Sequence, residues 1–109
     1  MHAHKNKFIM KKYQKEIDDW FKKNKWQYWR PLSILARLYE ECGEFAREVN
    51  HLYGEKKKKK NEISKKIEEE MGDIVFTLMC FANSQGIDLG KAVKKSINKV
   101  KKRDKDRFK

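Results

Sequence analysis

The apolar residues of this chain recur at steps of three and four in four successive stretches, and nothing reads as a β-hairpin. Steps of three and four place side chains on one face of a helix with 3.6 residues per turn. That pattern points to an all-α fold. Ile9, Tyr13, Ile17, Trp20 and Phe21 make the first stripe, which predicts a helix over about 8–25. Pro31 suits the first turn of a second helix, where its missing N–H costs nothing. The second stripe is Leu35, Leu38, Cys42, Phe45, Val49 and Leu52, and Gly54 is a plausible stop. A third helix is predicted over about 62–85, carrying Ile63, Ile67, Met71, Ile74, Leu78 and Phe81 and ended by Gly86. Asp88 fits an N-cap for a fourth helix bearing Leu89, Val93, Ile97 and Val100. The expectation is one domain over residues 1–109, with 1–7 and 104–109 frayed. The five lysines at 56–60 repel one another, so 55–61 is expected to be a loop.

No apolar run approaches the roughly 18 residues of a membrane span, and the N-terminus has no apolar secretion signal. Two cysteines make neither a disulfide framework nor a metal-binding cysteine cluster. A cytoplasmic setting with reduced thiols is the default expectation.

The net charge is +12, yet it is not spread evenly. Residues 31–54 carry −2 and residues 61–90 carry −4, between basic segments of +6, +4 and +8. A protein that only coats nucleic acid has little reason to hold two acidic blocks. A site that binds a divalent cation and then an anionic substrate needs both signs close together.

The acidic blocks are patterned. Glu41 and Glu44 lie three apart on the second helix, and Glu70 and Asp73 three apart on the third. Positions three apart share a helical face. Glu70 falls within the apolar stripe, and Glu41 and Asp73 on its shoulder. A charged carboxylate aimed into a bundle is costly unless it is paired or binds a metal. Two such helices face to face would gather four carboxylates, which a hard divalent cation would hold together. Oxygen ligands suit magnesium, with manganese as the alternative, better than zinc. The bland alternative is a solvated acidic face paired with Arg37, Arg47 and Lys66. A di-iron bundle would need two Glu-x-x-His pairs. Glu48 and His51 make one and the other is missing, so His51 reads as a surface residue at the helix end. Gly43 and Gly72 each cost about 1 kcal/mol against Ala inside a helix, which suggests that another helix or a ligand approaches there.

The segments Leu38-Tyr39-Glu40-Glu41-Cys42-Gly43-Glu44-Phe45-Ala46 and Glu68-Glu69-Glu70-Met71-Gly72-Asp73-Ile74-Val75-Phe76 resemble the two motifs of the MazG-like nucleotide pyrophosphohydrolases. The likeness spans about residues 29–108 and includes the stretch Asn83-Ser84-Gln85-Gly86-Ile87-Asp88-Leu89. It implies a helical bundle of four main helices per protomer, completed by dimerisation, with tetramers in some members. It also implies hydrolysis of a nucleoside triphosphate between the α and β phosphates, with magnesium held by Glu41, Glu44, Glu70 and Asp73. Glu41 or Glu44 is the expected general base. The family places basic residues on the last helix, and here Lys99 and Arg103 fit. Some members carry an asparagine two residues before that lysine, where this chain has Ile97.

Trp29, with Trp26 and Tyr28, could stack on a nucleobase or plug the bundle. Asn83 could read a base or phosphate, or bond the helix end near Gly86. The competing class is a basic helical nucleic-acid-binding or interaction module without catalysis. The acidic helices speak against it.

Overall fold

The computed structural model describes residues 8–54 and 60–105 and, within the third helix, the side chains from 65 onward. Residues 1–7, 55–59 and 106–109 lie outside the described residues; of the loop expected over 55–61, Lys60 and Asn61 are instead the first residues of the third helix, and of the end expected to fray over 104–109, Asp104 is still helical. Four helices follow in order: α1 (Ile9–Lys23), α2 (Pro31–Tyr53), α3 (Lys60–Gln85) and α4 (Leu89–Asp104). No strand occurs among the described residues. None of these helices is long and apolar enough to cross a membrane.

Two compact units make up the chain. One runs from Tyr28 to Phe81 and is a helical hairpin of α2 and most of α3. Pro31 opens α2 directly after the extended Arg30. The other unit holds α1, the last turn of α3 from Ala82, and α4. Here α1 packs on α4, and Gly90 permits the approach, because a Cβ there would sit 3.3 Å from the Met10 Cβ. Gly86 ends α3 in the left-handed region, with φ of +69°. The Ile87 amide then donates to the Ala82 carbonyl at 2.8 Å, closing the C-terminal turn. Asp88 caps α4, its Oδ1 accepting from the Lys91 amide at 3.0 Å. The last turn of α4 carries Lys101, Lys102 and Arg103, where cations complement the helix dipole.

The buried faces differ from the apolar stripes. On α1 the buried residues are Gln14 and Ile17, while Tyr13 and Trp20 are about half exposed. Trp20 instead packs edge-on against Phe21 and Trp26, with ring centroids 5.7 and 5.0 Å away. On α2 the buried residues are Ile34, Glu41 and Glu48, while Leu35 and Cys42 point outward. On α3 Glu70, Ile74 and Thr77 are drawn in, while Met71 and Leu78 stay exposed. On α1 and α2 the inner face takes in polar residues, whereas α3 buries Met79, Cys80 and Ala82 beside Thr77. Periodicity of apolar residues alone cannot show that, since it scores a carboxylate or amide as outward by default.

Candidate functional site

Glu41, Glu44 and Glu70 each bring one carboxylate oxygen within 4.8 Å of the other two. The hairpin makes this meeting: α2 supplies two of the groups from one helical face, and α3 supplies the third. Glu41 is 3% exposed. Its Oε1 accepts from the Arg37 Nε at 3.0 Å, one turn earlier on the same helix. Its Oε2 is buried without a hydrogen-bond partner, as is Oε2 of Glu70. Glu44 is exposed and so leaves the cluster open to solvent.

Electrostatics follow from that geometry. Burial, and then the carboxylates of Glu41 and Glu44, push Glu70 up from 4.5 to about 7. A carboxyl group in such company holds its proton because a third negative charge has no compensation. Buried carboxylate oxygens with no donor, gathered from two helices, are an arrangement that a divalent cation would complete.

The other sequence candidates are distributed as follows. Asp73 is exposed and stands outside the three-carboxylate cluster; its backbone carbonyl accepts from the Thr77 hydroxyl at 2.8 Å. Trp29 precedes α2 and is 63% exposed. Lys99 and Arg103 are exposed on α4, in the unit that contains α1. The Arg103 guanidinium forks onto Asp104, at 3.0 and 3.1 Å. Asn83 is half-buried: its Oδ1 accepts from Gln14 Nε2 and its Nδ2 donates to the Gln14 carbonyl, both at 2.9 Å. Nothing lies within 4 Å of a Cβ built on Gly43 or Gly72, so among the described residues no element approaches closely there.

Sequence reasoning missed two polar groups. Gln14 is buried on α1. Glu48 is buried beside a half-buried His51, which the sequence placed at the surface. Glu48 had a signal, because it lies seven residues after Glu41 and so repeats its face.

Residues 30–108 match the family model of the MazG nucleotide pyrophosphohydrolase domain. The chain is 50% identical to the uncharacterized protein YpjD of Bacillus subtilis over 99 residues, covering 91% of this chain and 89% of that one. YvdC of the same organism, also uncharacterized, is 28% identical over 96 residues, covering 83% of this chain and 91% of that one. The fold is similar to the crystal structure of a Bacillus-conserved MazG protein described as a nucleotide pyrophosphohydrolase. The TM-score is 0.72 at 48% identity, over 89% of this chain and 94% of that one. A match over most of the length in sequence and in fold settles the family: this chain belongs to the MazG nucleotide pyrophosphohydrolases.

Proposed function

We propose that the chain is a magnesium-dependent nucleoside triphosphate pyrophosphohydrolase. In this reading it cleaves ribo- or deoxynucleoside triphosphates between the α and β phosphates, giving the monophosphate and pyrophosphate. Its family makes it a nucleotide pyrophosphohydrolase; the bond, the metal and the residue roles are the proposal. The observation that supports it most is the Glu41–Glu44–Glu70 cluster, with buried, undonated oxygens on Glu41 and Glu70.

The donor set fits a hard cation. All three groups are carboxylates, which favours magnesium, with manganese as the alternative. Asp73, three residues beyond Glu70, is the fourth ligand of this reading. When bound, the ion would neutralise phosphate charge and lower the pKa of an attacking water. The chain's own residues do the rest. Arg37 occupies one oxygen of Glu41 and so fixes how the other is presented. Glu44, open to solvent, or Glu41 accepts the proton of the water. Lys99 and Arg103 bind the triphosphate, and the exposed face of Trp29 stacks on the base. The Asn83 amide is engaged with Gln14, so its contribution is to hold α1 at the end of α3 rather than to bond the substrate directly.

The partner we propose is a second copy of the chain. Leu32, Leu35 and Tyr39 leave an exposed apolar stripe on α2, and Met71, Val75 and Leu78 another on α3. A homodimer would cover them, and open Gly43 and Gly72 would let its helices come close; a tetramer is the larger alternative. Two unpaired thiols and a nucleotide substrate fit the cytoplasm.

The test is product analysis on a panel of nucleoside triphosphates, with and without magnesium, beside Glu70→Gln. Magnesium-dependent pyrophosphate and monophosphate, lost in the variant, is the expected result. Orthophosphate with diphosphate would overturn the cleavage point.

A further inference from the structure

Glu48 lies one turn beyond Glu44 on α2, outside the three-carboxylate cluster. It is 5% exposed. Its Oε1 has the Arg47 Nε at 3.9 Å, from a guanidinium that is largely in solvent. Its Oε2 is buried and accepts no hydrogen bond, and the same holds for His51 Nδ1, which neither gives nor receives one. These two atoms face each other at 3.5 Å. That separation is long for a hydrogen bond. It matches two ligands of one ion, because a first-row metal about 2.1 Å from each, at a tetrahedral angle, holds them about 3.4 Å apart. A carboxylate oxygen and an imidazole nitrogen three residues apart on a helix are a common half of a metal site.

We infer that Glu48 and His51 form a second cation site, which takes a divalent transition ion such as zinc or cobalt. The nitrogen donor distinguishes it from the all-oxygen cluster, since imidazole favours zinc and its neighbours over magnesium. The two side chains supply two of the ion's ligands. The site does not depend on the reaction proposed above, and its occupancy is read without any turnover.

The test is a zinc titration of the full chain labelled with ¹⁵N-histidine, with the His51 resonance assigned by its loss in His51→Ala. Zinc should move the His51 Nδ1 signal at lower concentration than it moves His2 and His4. Glu48→Gln should weaken that response by about tenfold or more, with helical circular dichroism retained. Glu41→Gln should leave it in place. Cobalt gives a second reading: His51→Ala should lose one equivalent of visible d–d absorption. The inference is overturned if His51 responds only alongside His2 and His4, if Glu48→Gln responds as the parent does, or if His51→Ala binds as much cobalt as before. A bridging water between the two side chains would give the first of these results.

Discussion

Gln14 and Asn83 grip each other through their amides, each donating one hydrogen bond of 2.9 Å to the other residue. Gln14 also donates to the Ile87 carbonyl and accepts from the Leu89 amide, again at 2.9 Å. One buried side chain therefore ties α1 to the end of α3, the turn after it and the start of α4. Gln14→Leu keeps the volume but strands the partners on all three. Leaving a buried polar group unsatisfied costs about 1–3 kcal/mol; these partners are only partly buried, and Ile87 is exposed, so water offsets part of the cost and a loss of about 2–4 kcal/mol is expected in a denaturant melt. Asn83→Ala should lose about half as much and leave KM near the parent value. A raised KM with unchanged stability would instead make Asn83 a substrate contact.

The raised Glu70 gives the metal-free protein a stability slope of definite sign. Its folded value is about 7 against an ordinary 4.5, so between those values the folded state holds a proton that the unfolded chain has released. Stability then falls as pH rises through that window. A thermal melt without metal should show Tm decreasing from about pH 4.5 to 7, and Glu70→Gln should flatten that part of the curve. Saturating magnesium should flatten it too, by favouring the carboxylate. Below pH 7, magnesium binding should release a proton, seen as a buffer-dependent heat in titration calorimetry.

Lys25 ends α1 with φ of 57°, in the region that side chains with a Cβ disfavour. The backbone needs that turn: the Trp26 amide reaches the Phe21 carbonyl at 2.9 Å, and the Lys25 amide the Lys22 carbonyl at 3.1 Å. The Phe21 and Trp26 rings meet edge-on, with centroids 5.8 Å apart, the apolar contact that accompanies this helix ending. Lys25→Gly should relieve the strain and stabilise the protein by about 0.5–1 kcal/mol. A Tm raised by a few degrees is the expected readout, and a lowered Tm would contradict it.

The helices were legible because their signals are local. Pro31, Gly86 and Asp88 mark ends by backbone chemistry that depends on one or two residues. The Glu41–Glu44–Glu70 meeting was legible for a related reason, since spacing on each helix fixes which carboxylates share a face. The rotation of the faces was not legible. Gln14 is tolerated inside because three residues on other segments satisfy its amide, partners that only packing supplies. Glu41 draws its one partner, Arg37, from its own helix. Lys25 was equally hidden: its neighbours Phe21 and Trp26 draw the chain into a turn that glycine would ordinarily occupy.

The exposed stripe through Met71, Val75 and Leu78 on α3 tests the proposed dimer. In a monomer, Val75→Lys would put a lysine where the side chain is already 38% exposed, and the change should stay within about 0.5 kcal/mol. In a dimer covering that stripe, each protomer would bury a charge with no partner, and twofold symmetry would count the penalty twice. An uncompensated buried charge costs about 3–5 kcal/mol, enough to separate protomers at micromolar concentration. Light scattering behind size exclusion should give a dimer mass for the parent and a monomer mass for Val75→Lys, with helical circular dichroism retained. A monomeric parent would refute the proposed dimer. A variant that stays dimeric with unchanged stability would put the interface elsewhere on the molecule.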